Sequence, residues 1–262
     1  MSKFVLLDTE TTGKLEDDSK NVTNHRINQL AFMVMDKNGA ECFECIVNPK
    51  DDEGNPIEID FEAMEVTNIT PEMVEGKPEL KDTNEFKVLN DENKEENFIV
   101  IHNAPFDLPM LERDGFDNKM KLIDTLRVAK HVYPDAPAHR LQYLRFALGL
   151  YKEEEAECKK LGIEELKAHD ALGDIIFMKL LLARMKKDLI EKNKDVEKYN
   201  VIKDMLELTV KPALVKTFKF GKHKGRLVEE VVKEDFGYVN WALSNLDDPD
   251  LIHTFNHYLG RN

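Results

Sequence analysis

Apolar positions along this chain follow two rhythms. Residues 3–8, "KFVLLD", carry an unbroken apolar run without alternation, the pattern of a short strand buried on both faces. "INQLAFMVMD" (27–36) and "AECFECIVNP" (40–49) predict two further strands. The intervening "DKNGA" holds the Asn-Gly signal of a hairpin. "NFIVIHN" (97–103) predicts another buried strand, and "LIDT" (122–125) a short fifth one. Between 60 and 92 the pattern breaks into short helices punctuated by Pro71 and Pro78. Helical spacing then covers 105–114, 124–132, 139–149, 170–190 and 195–208. The order β-β-β-α-β-α-β-α predicts an α/β layered fold, a mixed sheet flanked by helices.

The pattern changes character near residue 210. "KPALVKTFKFGKHKGR" (211–226) contains six Lys or Arg and no acid. The predicted division is a layered domain over 1–192, a connecting helix over 193–210 and a small α+β unit over 211–262. The last reads as a short strand, a Gly-bounded turn and two or three helices. "KEEEAECKK" (152–160) is a charge run, expected as a solvated helix or loop. No internal repeat or low-complexity tract occurs.

Composition narrows the function. Apolar residues make up 42% of the chain, enough for a sizeable core. The formal net charge is −14, so the chain does not coat nucleic acid by bulk electrostatics. Any nucleic-acid chemistry needs a local site with cations or a basic patch. Three cysteines argue against a disulfide framework and for a reducing cytoplasm. Cys42 and Cys45 form a lone CxxC without a second pair, so plain strand residues on opposite faces are expected rather than a zinc site. His253 and His257 in "HTFNH" lack a third ligand. No stretch is long enough to span a membrane, and "MSKFVLLDTE" lacks a signal peptide's apolar core.

The chemistry concentrates in carboxylates. "DTETTG" (8–13) ends the first strand. Residues i and i+2 share a strand face, so Asp8 and Glu10 project side by side. Like charges so placed repel and favour protonation unless a cation intervenes. Hard divalent cations take such oxygen ligands, although two solvated acids at a strand end are also common. Asp107, in "HNAPFD", falls at the start of a helix after the second buried strand. N-terminal capping accounts for it, and so does convergence with Asp8 and Glu10 at adjoining strand ends. Asp174 shares a helical stripe with Met178, Leu181 and Met185, so it faces inward and needs a partner, either a basic side chain or a shared metal. His169 converges with Asp174 only from the loop before that helix, where Asp170 suits the N-cap. There an imidazole has the proton affinity of a general base near neutral pH.

"DTETTG", "HNAPFD" and "HDALGD", in this order, resemble the DEDD-h branch of the DnaQ-like 3′→5′ exonucleases. "NITPEMVEGKP" (68–78) also resembles the stretch between that family's first two motifs. The resemblance covers about residues 3–190. It implies a ribonuclease-H-like fold. It implies Asp8, Glu10, Asp107 and Asp174 as ligands of two Mg²⁺ or Mn²⁺ ions, and His169 as general base. Thr11, Thr12, Gly13, Asn103 and Phe106 would line the pocket for the terminal nucleotide. Gln29 stands where family members often carry Glu, outside the metal set. The implied reaction is two-metal hydrolysis of the terminal phosphodiester, releasing nucleoside 5′-monophosphates from single-stranded or frayed DNA 3′ ends.

The C-terminal segment resembles the accessory domain of exonuclease X-like proteins through "FGKHKG" and "GYVNW". Lys219, Lys222, His223, Lys224 and Arg226 are expected nucleic-acid contacts there, with Phe218, Phe220, Tyr238 and Trp241 as stacking candidates. Aromatic core and solvated lysines are the alternative. Two other functions stay open: a 3′→5′ exoribonuclease, and a nucleic-acid-binding subunit acting with a polymerase, helicase or repair protein.

Overall fold

The structure is a computed structural model that describes residues 2–14, 25–163 and 171–261. It opens on three strands: β1 (Phe4–Thr11), β2 (Ile27–Asp36) and β3 (Gly39–Ile46). β1 extends past the apolar run because Asp8, Thr9 and Glu10 continue the antiparallel ladder opposite Ala31, Leu30 and Gln29. The hairpin tip is Lys37–Asn38, with Gly39 already paired to Asp36, one residue away from the Asn-Gly turn expected. The Asp36 carboxylate fixes that tip by accepting from the Asn38 backbone N–H at 2.7 Å and its side-chain amide at 3.2 Å.

Short helices α1 (Phe61–Thr67), α2 (Pro71–Val74) and α3 (Asn84–Glu92) follow. The chain then alternates β4 (Phe98–Ile101), α4 (Ala104–Arg113), β5 (Lys121–Asp124) and α5 (Thr125–Val132). Beyond these come α6 (Leu141–Ala147), α7 (Glu154–Leu161), α8 (Ala171–Lys192) and α9 (Val201–Val210). α9 starts at 201 rather than 195 because the Asn200 side chain caps the Ile202 and Lys203 N–H groups. The last helices are α10 (Val228–Glu234), α11 (Phe236–Asn245) and α12 (Pro249–Tyr258).

The sheet order is β3-β2-β1-β4-β5, with β2 antiparallel to its neighbours and β1, β4 and β5 parallel. Alternate residues of the central strands divide between its faces. Val5, Leu7, Phe32, Ile99 and Ile101 bury one face with Phe86 and Leu89 of α3 and Met110 and Leu111 of α4. Leu6, Asp8 and Glu10 lie on the other face. In α8, Met178, Leu181 and Met185 are all buried, as the helical stripe predicts.

The chain divides into two compact units, Met1–Thr125 with Arg140–Arg184, and Leu126–His139 with Met185–Asn262. These boundaries differ from the division expected at 192 and 210. α5 and the end of α8 go with the C-terminal helices. The local reason is an ion cluster. Asp250 accepts from Arg127 at 2.5 and 2.8 Å, from Lys130 at 2.8 Å and from the Ala213 N–H at 2.9 Å. The second unit's apolar core gathers Phe218, Val228, Val231, Val239, Leu251 and Phe255. The short strand expected there is reduced, among the described residues, to one antiparallel bridge between Thr217 and Leu227.

The charge run over 152–160 forms helix α7 with most of its charged side chains exposed, as expected, but two of its acids turn inward. Glu154 and Glu157 are buried, pairing with Arg145 and Lys179 at 2.5 Å each. Cys42 and Cys45 sit on β3 as free thiols, and burial pushes the Cys45 thiol up to about 11.

Candidate active site

β1 and β4 run parallel, paired from Phe4–Phe98 to Leu6–Val100, so their carboxyl ends lie side by side. Ligand chemistry gathers at such ends in open α/β sheets. Asp8 and Glu10 lie on the overhanging end of β1. Burial raises the proton affinity of Asp8 well above the ordinary range, and the charges of Asp107, Asp174 and Glu10 raise it further. Asp8 therefore feels the charges of the three other acids, which come from its own motif and two distant ones.

Asp107 lies in the first turn of α4 and is 3% exposed. The preceding turn is set by Asn103, which takes the left-handed conformation at φ 79°, one that Asn tolerates better than most residues. Asp124, at the end of β5, accepts from the Asn103 N–H at 3.2 Å and the Ala104 N–H at 3.0 Å, satisfying two groups at the helix start. Thr9 then reaches across from β1. Its N–H and hydroxyl donate to Asp107 Oδ1 at 3.1 and 2.7 Å. Burial pushes Asp107 up to about 7 although these hydrogen bonds pull the other way.

Asp174, in the first turn of α8, accepts from the Gln142 side-chain amide of α6 at 2.6 Å. Arg145 is held by Glu154 at 2.5 and 2.6 Å, and its guanidinium also feels the Asp174 charge. His169 and Asp170 lie outside the described residues.

Among the described residues, no three of His, Cys, Asp or Glu form a ready-made metal cage. The donor chemistry nonetheless fits a hard divalent cation. Asp8, Glu10, Asp107 and Asp174 are all oxygen donors, and their mutual repulsion is what such a cation relieves. They are the residues that could hold one.

The residues expected around the terminal nucleotide divide. Thr11 and Thr12 are buried, and their hydroxyls are engaged inside the protein. Thr11 Oγ1 donates to the Gly13 carbonyl at 2.7 Å. Thr12 Oγ1 lies 3.1 Å from His25 Nδ1 and accepts from the Arg26 N–H at 3.2 Å. A Cβ on Gly13 would stand 2.3 Å from the His25 ring, so glycine here allows the ring to close on the strand end. These three residues shape the turn after β1. Asn103 is exposed and Phe106 half-buried. Thr9, His25, Asp124 and Gln142 escaped the motif reading. Asp124 had a visible signal, an acid ending a predicted strand as Asp8 does.

The basic loop also divides. His223 is buried, with Nε2 3.1 Å from Asp235 and its ring against Phe218 and Tyr238, so it is a core residue rather than a surface contact. Arg226 is tied to Glu234 at 2.5 Å. Lys219, Lys222 and Lys224 are all exposed, Lys222 bonding Asp235 at 2.7 Å.

The exonuclease family profile matches residues 5–181, and a second profile, the Exodeoxyribonuclease X-like C-terminal domain, matches 218–247. The chain belongs to the exonuclease family. This exonuclease is 32% identical over 221 residues to Exodeoxyribonuclease 10 of Escherichia coli, covering 82% of the chain and 86% of that protein. It is 33% identical over 201 residues to DNA polymerase III PolC-type of Halalkalibacterium halodurans, covering 73% of the chain but 12% of that much longer protein. Exonuclease X in complex with 5′ overhanging duplex DNA superposes with a TM-score of 0.52 at 20% identity, covering 79% of this chain and 99% of the other. The nuclease domain of 3′hExo, a DEDDh family member, bound to rAMP, superposes at 0.50 and 15% identity, covering 71% and 92%. Both likenesses show the ribonuclease-H-like fold. The protein is an enzyme, a 3′→5′ exonuclease. Among the described residues no helix is long and apolar enough to cross a membrane.

Proposed function

We propose that this exonuclease removes nucleoside 5′-monophosphates from the 3′ ends of DNA at a site where Asp8, Glu10, Asp107 and Asp174 hold two divalent cations, Mg²⁺ or Mn²⁺. The observation that carries this is the gathering of acids at the adjoining carboxyl ends of β1 and β4, where Thr9, between Asp8 and Glu10, holds Asp107 at 2.7 Å and the charges of Asp107, Asp174 and Glu10 all raise the proton affinity of Asp8. Such cations, when bound, supply charge stabilisation at the reacting phosphoryl group and make a water easier to deprotonate. The chain supplies the rest. Thr9 fixes one oxygen of Asp107, and Gln142 orients Asp174. His169 takes the proton from the attacking water, a role the motif spacing supports. Asn103 and Phe106, just before Asp107 in the chain, meet the terminal nucleotide.

DNA as substrate is supported by the similarity to Exodeoxyribonuclease 10 along most of both chains. The matches to DNA polymerase III proteins support work at DNA ends beside a polymerase. Free cysteines suit a reducing compartment such as the cytoplasm.

The test is digestion of 5′-labelled DNA and RNA oligomers with Mg²⁺ or EDTA, by wild type, Asp8→Asn and Asp174→Asn. The expected result is a ladder shortening from the 3′ end of DNA, absent in EDTA and in both variants. Full activity in either variant removes the metal assignment, and faster shortening of RNA makes the enzyme an exoribonuclease.

A further inference from the structure

The C-terminal unit carries a surface that the catalytic chemistry does not use. Its basic loop is wrapped around one aromatic residue of α11. Gly221, at φ 69°, brings the loop backbone close enough that a Cβ there would lie 3.5 Å from the Tyr238 hydroxyl. Lys222 Nζ then stands 5.4 Å from the Tyr238 ring centre, and Asp235 holds it there. From inside, His223 packs edge-on against the same ring at 4.6 Å. The loop conformation is thus fixed by the core, while its lysines stay outside.

One helical turn along α11, the Trp241 ring lies 5.6 Å from Tyr238 at 36°. Trp241 is 51% exposed, and Phe220 on the loop is 46% exposed. An indole joins a large apolar face to a polar N–H, which is why Trp is enriched at binding interfaces. Tyr238 braces its ring in place, so little side-chain freedom is lost on binding. Around it the loop offers Lys219, Lys222 and Lys224. Asp235 neutralises part of the exposed Lys222, and Arg226 pairs with Glu234, while Lys219 and Lys224 are exposed as well. The segment 211–226 holds six Lys or Arg and no acid, in a chain whose net charge is −14. Local positive charge beside a braced aromatic face is the chemistry of a single-stranded nucleic-acid platform.

We propose that the Trp241–Tyr238 face of α11 and the loop Lys219–Lys224 form a second binding site for single-stranded nucleic acid. A base stacks on Trp241, and the ammonium groups of Lys219 and Lys224 meet backbone phosphates. This rests on the reading of the chain as an exonuclease of nucleic-acid ends. Joined covalently to the catalytic unit, such a site raises the local concentration of strand at the enzyme. Stacking and phosphate contacts are blind to sequence and to the sugar 2′-hydroxyl, so the site takes DNA and RNA strands alike.

The experiment is equilibrium binding of 5′-fluorescein oligothymidylate and oligouridylate to the full-length protein in EDTA, across a salt series. No hydrolysis occurs under these conditions. A failed activity test at Asp8 would therefore sink the catalytic assignment without touching this measurement. Trp241→Ala is expected to weaken binding of both oligomers by about tenfold, the loss of one stacked base. Trp241→Phe is expected to recover most of that loss, because it keeps a ring. Lys219→Ala with Lys224→Ala is expected to lower the slope of log affinity against log salt by about 1.4, or about 0.7 per released phosphate contact. Wild-type affinity in Trp241→Ala overturns the proposal. So does an unchanged salt slope in the lysine variant, or a Trp241→Phe protein as weak as Trp241→Ala. The first two outcomes together would leave the face for a protein partner.

Discussion

Thr9 and Asp107 meet at a single carboxylate oxygen, which accepts both the backbone N–H and the hydroxyl of the strand residue. The hydroxyl bond of 2.7 Å joins residues ninety-eight positions apart and locks the first turn of α4 to the end of β1. A hydrogen bond to a charged group contributes about 1.5–3 kcal/mol. Thr9→Val keeps the shape and puts a methyl in place of the hydroxyl. The Mg²⁺ concentration for half-maximal activity should rise by about 10- to 100-fold, the usual cost of losing a group that orients a ligand. A titration of activity against Mg²⁺ checks this, and an unchanged midpoint would mean that the backbone N–H alone positions Asp107.

Four crowded carboxylates make the site a liability to the folded state when no cation is present. Burial and like charge both raise the proton affinity of Asp8. Each tenfold rise in proton affinity corresponds to about 1.4 kcal/mol disfavouring the ionised form in the folded protein. Asp8→Asn removes one charge at nearly constant volume. In EDTA its melting temperature should exceed that of wild type by about 2–4 °C, while its activity is lost. In Mg²⁺ the order should reverse, because wild type alone gains the full binding energy of the ions. Identical melting temperatures in EDTA would show that the acids do not repel one another.

The layered fold was legible because its central strands β1, β2 and β4 carry runs of buried residues and therefore read as apolar stretches. The central strands at 27–36 and 97–103 fell within a few residues of β2 and β4. The acids were legible for a different reason. Asp8, Asp107 and Asp174 each break an apolar pattern near an element's end, and a carboxylate in such a place needs a cause. What escaped was whatever depends on contacts between elements. Nothing in the spacing of Thr9, Asp124 or Gln142 says that they hold Asp107, the start of α4 and Asp174. The buried pairs of Glu154 with Arg145 and Glu157 with Lys179 looked like solvated charge for the same reason. His223 was read as a surface cation because its neighbours are lysines, yet its ring fills the space between Phe218 and Tyr238.

Gly13 carries a steric prediction. Its missing side chain is replaced by the imidazole of His25, which Thr12 holds at 3.1 Å and Asp60 at 3.3 Å. The ring cannot swing aside without losing both partners. Gly13→Ala should therefore destabilise by about 1–3 kcal/mol, the range for overpacking, and should reduce kcat by displacing the strand end that bears Glu10. His25→Ala makes room for the new methyl. Urea unfolding of both single variants and the double variant should show the double less destabilised than the sum of the two. Strict additivity would rule out the clash.

Asp250 carries the prediction for acid stability. Burial favours its neutral form, but Arg127, Lys130 and the Ala213 N–H outweigh this and hold the carboxyl well below the ordinary range. A carboxylate whose proton affinity is lower folded than unfolded stabilises the protein above its unfolded pKa, about 3.9. That contribution is whole at neutral pH and is lost progressively as pH falls below about 4. Asp250→Ala strands two cations that are 20% and 30% exposed at their side chains and should cost about 3–5 kcal/mol at pH 7. Because the variant has no carboxyl to protonate there, its stability should fall less steeply than that of wild type between pH 4 and more acid conditions. Thermal melts of the full chain across that acid range read both effects. Parallel curves for the two proteins would mean that the Arg127–Lys130 cluster is satisfied without Asp250.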